Sequence, residues 1–284
     1  MGVLMKGSEV AAAMKKKLQE ETLLLKERNI EPHLAIVRVG ERPDDLAYER
    51  GAKKRMDTIG IKCTVFQFPE VIDQVTLEEE FDKINSNPYI HGILLFSPLP
   101  KHLDENPLIA RINPLKDVDC MSLVNKAKVF SGDDTGYAPC TAEAVMELLD
   151  YYNIDVTSKK VIVIGRSMVV GKPLSMLLLK KNATVTICHS KTKKLEEACH
   201  EADIVVAAIG KAKAVHDAFI GEGAVVVDVG INLDTDGNLC GDVDFHKVVE
   251  KASYITPVPG GVGSVTSSVL AKHVIKGAKY LNSL

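Results

Sequence analysis

The feature of this sequence that most constrains its fold is a repeated alternation of short apolar runs with segments of helical spacing. The apolar runs, bounded by turn-forming residues, predict buried strands at 32–40, 61–68, 90–96, 160–164, 183–188, 204–208 and 225–229. The segments between them predict helices at 8–28, 44–59, 76–86, 141–152, 171–181, 194–201, 216–221 and 265–281. Strands separated by helices imply right-handed crossovers and parallel sheets, so the predicted fold class is α/β.

The segment from about Pro114 to Pro139 is rich in turn-forming residues and predicts a change of domain. A chain of 284 residues is long enough for two domains of ordinary size. The second half begins its own series of strands at 160–164, which predicts a doubly wound, Rossmann-type dinucleotide fold. In the first half, Asp44 and Asp45 are predicted N-caps of a helix that Gly60 ends.

Composition excludes several classes of function. The formal net charge of −3 leaves no broad positive field for nucleic acid or anionic lipid. No apolar run approaches the ~20 residues of a membrane span, and the first residues lack the apolar core of a signal peptide. The six cysteines are widely spaced, without a CxxC pair or a zinc-type Cys/His cluster. We therefore expect a cytoplasmic, reduced protein without a metal ion.

A glycine-containing turn follows strand 160–164 directly and leads into a helix. Gly165 and Gly171 bracket this turn, and Ser167 stands where GxGxxG turns have their middle glycine. Such a turn lets backbone N–H groups and a helix N-terminus approach a pyrophosphate. A glycine turn alone is a weak signal, and an ordinary connecting turn is the alternative. Its position between a buried strand and a helix favours a cofactor site.

The end of the next strand indicates which cofactor is bound. NAD sites usually place a carboxylate there for the ribose 2′-OH, but here Cys188 is followed by His189, Ser190 and Lys191. An imidazole, a hydroxyl and an ammonium group suit a 2′-phosphate, to which Arg166 can add a bidentate contact. The sequence therefore predicts NADP, with a polar surface loop as the alternative.

A further glycine segment, containing Gly230 and Ile231, follows the fourth strand of the second half. The carboxyl ends of parallel strands share one edge of the sheet, where dinucleotides bind. This segment is therefore predicted to lie near the nicotinamide.

Several motifs together resemble those of one enzyme family. They are Gly165-Arg-Ser-Met-Val-Val-Gly-Lys-Pro173, Cys188-His-Ser-Lys-Thr192, Asp228-Val-Gly-Ile-Asn232, Gly241-Asp-Val-Asp-Phe245 and Thr256-Pro-Val-Pro-Gly-Gly-Val-Gly263, with Pro98-Leu99-Pro100, Lys116-Asp-Val-Asp119 and Pro139-Cys-Thr141. The chain resembles the methylenetetrahydrofolate dehydrogenase/methenyltetrahydrofolate cyclohydrolase family over nearly its whole length. The Pro-Gly-Gly motif is the most specific, because its prolines and glycines favour a rigid loop that approaches a flat ligand closely.

The resemblance implies two α/β domains with a folate-binding cleft between them, and a homodimer. It assigns residues 1–140 and 264–284 to a folate-binding domain and residues 141–263 to an NADP-binding Rossmann domain. It places Tyr48 and Asp119 in the catalytic site. The implied substrate-binding residues are Tyr48, Pro98, Leu99, Asp119, Pro259, Gly260 and Gly261. The implied cofactor-binding residues are Gly165, Arg166, Ser167, His189, Ser190, Gly230, Ile231 and Thr266.

The sequence departs from the family pattern at the residues that serve hydrolysis. Bifunctional members have a lysine four residues after the tyrosine and a glutamine before the Pro-Leu-Pro segment. Here these positions hold Ala52 and Phe96. Lys53 and Lys54 are close to position 52 in sequence. On a helix, however, their side chains point more than ~90° away from that of Tyr48.

The expectation is an NADP-dependent dehydrogenase acting on 5,10-methylenetetrahydrofolate, with cyclohydrolase activity weak or lost. Two alternatives remain open at this point. One is the full bifunctional enzyme, which would use a relocated base or a water path for hydrolysis. The other is a non-catalytic folate- or nucleotide-binding protein. The retained motifs at both ligand sites argue against the second alternative.

Overall fold

The computed structural model describes residues 2–284. The strands are β1 (Val3–Leu4), β2 (His33–Val39), β3 (Lys62–Phe68), β4 (Gly92–Leu95), β5 (Lys160–Ile164), β6 (Thr184–Cys188), β7 (Ile204–Ala207), β8 (Val225–Asp228), β9 (Asn232–Leu233), β10 (Leu239–Cys240) and β11 (Tyr254–Ile255). The helices are α1 (Gly7–Glu27), α2 (Pro43–Ile59), α3 (Gln74–Ser86), α4 (Asn106–Arg111), α5 (Leu123–Ser131), α6 (Cys140–Tyr151), α7 (Gly171–Lys180), α8 (Leu195–His200), α9 (Phe245–Val248) and α10 (Gly263–Leu281). Over the described residues, these helices include none with the length and hydropathy needed to cross a bilayer.

The contacts divide the chain into two units. One contains residues 13–140 and 267–284, and the other contains residues 2–12 and 141–266. The predicted division placed residues 1–140 together, whereas residues 2–12 share a unit with the second half. The reason is strand β1, which pairs in parallel with β11.

The unit with residues 13–140 is built on a three-stranded parallel sheet in the order β3-β2-β4. The central strand β2 is buried along its whole length, as expected for a parallel strand covered on both faces. Apolar side chains of α3, among them Leu77 and Phe81, pack into the core of this unit. Helix α2 follows β2 directly, so it begins beside the carboxyl edge of the sheet.

The other unit is built on a six-stranded parallel sheet in the order β1-β11-β8-β7-β5-β6. From β5 the chain moves outward to β6 and then returns across β5 to β7. The strand order therefore reverses beside β5, and in open α/β sheets such a switch point opens a crevice for a ligand. The predicted α/β class is confirmed, including the doubly wound second sheet.

Three predictions about elements were wrong. Asp44 and Asp45 do not cap α2, because they lie within its first turn and Arg42 is the N-cap residue. The Arg42 guanidinium donates to both carboxylate oxygens of Asp45. The predicted helix 216–221 is only a 3₁₀ turn, Asp217–Phe219. The turn-rich segment 114–139 contains helix α5, which the Ser122 side chain caps by accepting from the N–H group of Asn125.

Candidate active site

Tyr48 lies in the second turn of α2 and presents its ring near the carboxyl edge of the three-stranded sheet. The buried Arg38 of β2 helps to fix this helix, since its Nε donates to Glu49 Oε2 at 2.8 Å. The Tyr48 residue is 37% exposed, so part of its ring is open to a ligand. Burial of the hydroxyl end, with Cys140 and Asp119 nearby, raises the pKa of Tyr48 well above its usual range. The phenol therefore stays protonated at neutral pH.

Asp119 is the second predicted catalytic residue, and it lies near the Tyr48 hydroxyl. One carboxylate oxygen accepts from the backbone N–H of Cys140 at 2.8 Å. Burial raises the pKa of Asp119 above its usual range, while the Cys140 N–H lowers it in part. The residue as a whole is partly exposed, although its carboxyl group is desolvated.

The buried carboxylate of Asp117 organises the turn that carries Asp119. It accepts from the backbone N–H groups of Met121 at 2.8 Å and of Ser122 at 2.9 Å. Within this turn Cys120 has a φ of 59°, in the left-handed region that favours glycine. A side chain thus occupies a backbone conformation that L-residues rarely adopt. Sequence reasoning assigned no role to Asp117, although its motif was recognised.

Phe96 stands where the resemblance predicts a glutamine, and it continues the line of β4. Its backbone N–H donates to Val37 O at 3.0 Å, and its side chain is buried. Its ring contacts the Tyr48 ring, with centroids 5.8 Å apart and planes tilted by 46°. The neighbour of Tyr48 on this side is therefore an apolar ring that can neither donate nor accept a proton.

Ala52 stands one helical turn after Tyr48, where the resemblance predicts a lysine. It is buried, at 1% exposure, whereas Lys53 and Lys54 are exposed. The two lysines therefore point away from the buried side of α2, as the helical spacing predicts.

Pro98 and Leu99 follow β4 at the same edge of the sheet. The Ser97–Pro98 peptide bond is cis. Pro98 is exposed, whereas Leu99 is partly buried and packs against the core of this unit. In this unit Tyr48 contacts Phe96 and lies near Asp119. Pro98 and Leu99 are on the loop that follows Phe96.

The predicted cofactor turn lies at the carboxyl end of β5, beside the switch point. Gly165 has a φ of 135°, and a side chain there would overlap the carbonyl oxygen of Ala208. A side chain at Gly171 would overlap the carbonyl oxygen of Gly165. Both glycines are therefore required by close backbone contacts. Ser167 Oγ accepts from the N–H of Val170 at 3.1 Å and closes the turn.

The end of β6 lies beside this turn, because β5 and β6 are paired in parallel with Ile164 opposite Cys188. The N–H of His189 donates to Thr192 Oγ1 at 2.9 Å. The N–H of Lys191 donates to His189 Nδ1 at 3.2 Å, so Nδ1 carries no proton in this arrangement. Ser190 is exposed at the tip of this tight turn, and Arg166 is exposed on the neighbouring one.

A cavity of about 220 Å³ brings the remaining glycine segments together. The backbones of Gly230 and Ile231 line one part, and Pro259, Gly260 and Gly261 line another. Gly260 has a φ of 104°. A Cβ at Gly261 would lie 2.5 Å from Pro257 O, so this loop also depends on the lack of side chains. Peptide planes without side chains form a surface that a flat ring can approach.

Thr266, the last of the predicted cofactor residues, lies in the first turn of α10. Its side chain is buried, and Thr266 Oγ1 donates to Gly263 O at 3.1 Å. Its hydroxyl therefore supports the start of the helix after the Pro-Gly-Gly loop.

The donor set at the carboxyl edge of the six-stranded sheet fits a phosphorylated dinucleotide. The glycine turn offers exposed backbone next to the N-terminus of α7, a helix of ten residues. The glycine turn also carries the exposed Arg166 guanidinium. The adjacent turn after β6 offers Ser190, without a carboxylate to repel a 2′-phosphate.

Comparison with known proteins gives the family. Residues 5–119 match the family model of the tetrahydrofolate dehydrogenase/cyclohydrolase catalytic domain, and residues 139–282 match that of its NAD(P)-binding domain. The bifunctional protein FolD of Clostridioides difficile is 54% identical over 99% of this chain and 98% of that protein.

Two solved structures extend this likeness to the fold. The bifunctional enzyme FolD of Campylobacter jejuni has a TM-score of 0.96 and 38% identity, over 100% of both chains. The Trypanosoma brucei FolD, described as complexed with NADP cofactor and inhibitor, has a TM-score of 0.92 and 36% identity, over 98% of both chains. The chain therefore belongs to the tetrahydrofolate dehydrogenase/cyclohydrolase family.

Proposed function

We propose that this protein catalyses the NADP-dependent oxidation of 5,10-methylenetetrahydrofolate to 5,10-methenyltetrahydrofolate. The observation that carries the proposal is the cavity lined by the bare backbones of Gly230, Gly260 and Gly261, on a sheet whose glycine turn fits a dinucleotide. Membership of the family supports the substrate class. When bound, the nicotinamide accepts a hydride from the one-carbon bridge of the folate.

The chain's own residues supply orientation rather than proton transfer in this reaction. In the proposal, the exposed face of the Tyr48 ring packs against the folate ring system, and the Asp119 carboxyl group hydrogen-bonds the pterin edge. Pro98, Leu99 and the Pro259–Gly261 loop complete the substrate contacts. Hydride transfer between two bound rings depends mainly on their proximity and alignment. A high pKa at Tyr48 is compatible with this role, since the phenol does not need to ionise.

The preference for NADP is part of the same proposal. Ser190, His189 and Arg166 are assigned to the 2′-phosphate, with Gly165 and Ser167 at the pyrophosphate. Gly230, Ile231 and Thr266 are assigned to the nicotinamide end. The NADP named for the T. brucei relative supports this assignment.

The hydrolytic half of the family's chemistry has two candidate outcomes. The C. difficile and C. jejuni relatives are called bifunctional, which favours the full dehydrogenase/cyclohydrolase giving 10-formyltetrahydrofolate. This support is stronger than that for the dehydrogenase-only expectation of the sequence analysis. One local observation favours the latter: buried Ala52 and Phe96 flank Tyr48 where a proton-transferring pair would be needed.

A paired assay separates these outcomes. Purified protein is given methylenetetrahydrofolate with NADP or NAD, and NADPH or NADH absorbance is followed. In parallel it is given methenyltetrahydrofolate, and loss of the methenyl absorbance is compared with that in buffer. We expect NADP reduction in the first assay, and its failure with both cofactors would favour the non-catalytic binding protein.

The second assay decides the hydrolytic question. Hydrolysis no faster than buffer supports the dehydrogenase-only form. Brisk hydrolysis establishes the bifunctional enzyme, and the Lys53→Ala/Lys54→Ala double variant then tests whether a displaced lysine is the base.

The proposal also includes a homodimer, as the resemblance implies. Light scattering should then give twice the mass of one chain.

A further inference from the structure

Asp242 is a fully buried carboxylate to which the sequence analysis assigned no function. Its side chain accepts from the backbone N–H groups of Ile209 at 2.6 Å, Gly210 at 3.1 Å and Lys211 at 2.7 Å. It also accepts from the side-chain amide of Asn232 at 3.0 Å. One carboxylate thus fixes the position of the loop after β7 relative to the segment after β8.

A second buried carboxylate, Asp228, holds Asp242 in place. Asp228 accepts from the backbone N–H groups of Asp242 and Val243, each at 2.9 Å, and from that of Gly230 at 3.0 Å. A side chain at Gly230 would overlap the Asp242 carboxylate, and one at Gly241 would overlap that of Asp228. The two glycines in these motifs leave room for the carboxylate pair, Asp228 and Asp242.

One of the two segments that Asp242 holds contains Gly230 and Ile231, which were predicted to lie near the nicotinamide. Residues 209–211 follow β7 and residues 230–232 follow β8, at the same edge as the glycine turn after β5. Their tips are exposed, with Ile209 at 36% and Ile231 at 68%, so core packing does little to fix them. The hydrogen bonds to Asp242 join the two segments to one carboxylate, while Asp228 and the pairing of Asn232 with Cys240 also hold the second segment.

We propose that Asp242 is a positioning residue for cofactor binding, which acts by fixing the backbones of 209–211 and 230–232. This inference rests on the proposed function, because it takes NADP as the ligand of that edge. A carboxylate is needed because its two oxygens can together accept several N–H donors. An asparagine keeps the shape, but its NH₂ group would face backbone N–H groups and leave donors unpaired.

The test compares Asp242→Asn with Asp236→Asn, a matched change at an exposed position in the turn of the same β9–β10 hairpin. NADPH binding is measured directly by fluorescence titration, with the KM values for NADP and for methylenetetrahydrofolate. We expect Asp242→Asn to weaken NADPH binding about ten- to a hundredfold, the range for lost hydrogen bonds to a charged acceptor. The folate KM should be unchanged, and Asp236→Asn should bind NADPH as wild type does.

A graded variant guards against misfolding of Asp242→Asn. Asn232→Ala removes a single donor to the carboxylate, and we expect a smaller weakening of NADPH binding with the folate KM unchanged. Wild-type NADPH affinity in both variants overturns the inference. It is also overturned if both ligands weaken together with a fall in Tm, which is the result of a merely structural role. A wild-type protein that binds no NADPH overturns the inference and the cofactor assignment together, whereas one that binds NADPH but does not turn over overturns only the proposed function.

Discussion

At the scale of single residues, the turn after β6 is proposed to select between NADP and NAD at the ribose 2′ position. Ser190 is exposed there, with no carboxylate beside it, and the neighbouring turn carries Arg166. A hydroxyl tolerates a 2′-phosphate, whereas a carboxylate repels it and accepts from a free 2′-OH. The proposal therefore assigns cofactor choice in this chain to a few exposed side chains rather than to the core.

Substituting Ser190→Asp should reverse the cofactor preference. The added negative charge should lower kcat/KM for NADP by about tenfold or more, since one tenfold step corresponds to only about 1.4 kcal/mol. The value for NAD should be kept or improved. Ser158→Asp is the control, because it adds the same charge at an exposed position before β5, away from the carboxyl edge. Equal losses for NADP and NAD would contradict the assignment of Ser190.

Tyr48 is proposed to act through its ring, not through ionisation of its hydroxyl. Tyr48→Phe keeps the ring and its contact with Phe96, so kcat/KM for methylenetetrahydrofolate should change little. Tyr48→Ala removes the aromatic surface, worth about 1 kcal/mol beyond area burial, and should lower that value about tenfold or more. The KM for NADP serves as the internal control. A large loss in Tyr48→Phe would show instead that the hydroxyl takes part in catalysis.

At the scale of elements, the N-terminal segment supports the Pro-Gly-Gly loop. After β1 pairs with β11, the N–H of Gly7 donates to Gly260 O at 2.8 Å. A side chain at Gly7 would overlap the carbonyl oxygen of Gly261. The first turn of α1 therefore lies directly against the loop that is proposed to contact both ligands.

Substituting Gly7→Ala should displace this loop and lower the rate of dehydrogenation. Misplacement of a positioning element by about 1 Å can cost up to a hundredfold in rate, so a fall in kcat of about ten- to a hundredfold is expected. Gly51→Ala is the matched control, because a Cβ there meets no atom within 4 Å. It should keep its activity and gain about 0.5–1 kcal/mol of stability in the middle of a helix. Wild-type kcat in Gly7→Ala would show that the loop does not depend on this contact.

The elements that the sequence predicted well are those whose signal is local. Strand β2 was recognised because it is apolar throughout, and α2 ends at Gly60 in the left-handed conformation, as predicted. Strands β1 and β11 were missed because two-residue strands arise only from pairing between distant segments. Helix α5 was missed because turn-forming residues surround it and its large apolar side chains Leu123 and Phe130 are exposed.

The candidate site was predictable to the extent that it consists of motifs. The glycine turn and the Pro-Gly-Gly loop could be read from spacing and resemblance, and their close backbone contacts explain why glycines stand there. The supporting carboxylates Asp117, Asp228 and Asp242 could not be read in this way. Their roles depend on which backbone N–H groups the fold brings to them, and no residue spacing encodes that.

At the scale of the whole molecule, the buried histidines at the amino edge of the three-stranded sheet should make stability depend on pH. His33 is the first residue of β2, and His91 immediately precedes β4, so both lie near this edge. The buried Lys116 lies beside His91. Burial, with His33 and Lys116, lowers the pKa of His91 to about 4. Burial and Lys62 also lower the pKa of His33. Both side chains are therefore neutral in the folded protein at neutral pH.

The sign of the effect follows from proton uptake. The unfolded chain protonates these histidines near pH 6.5, while folded His91 resists protonation until about pH 4. Stability is thus fully present above pH 6.5 and is lost as the pH falls toward 4. For His91 alone the loss is about 3 kcal/mol. Urea unfolding of wild type between pH 7 and 5 should show more than half of this fall, and the remainder should follow toward pH 4.

The His91→Gln variant tests that assignment. It should unfold at lower urea at pH 7, but its stability should fall less steeply with pH than that of wild type. His200→Gln, at an exposed position, should keep the wild-type slope. If the free energy of unfolding of His91→Gln falls with pH as steeply as that of wild type, other groups are responsible for the acid sensitivity.

The central claim is that the protein moves a hydride from a folate one-carbon unit to NADP, and isotope transfer tests it most directly. Methylenetetrahydrofolate carrying two deuterium atoms on the bridging carbon is incubated with the protein and NADP, and the nucleotide is analysed by mass spectrometry. We predict that the NADPH formed carries one deuterium and that the methenyl product keeps the other. NADPH without deuterium, or no reduction of NADP at all, would contradict the account.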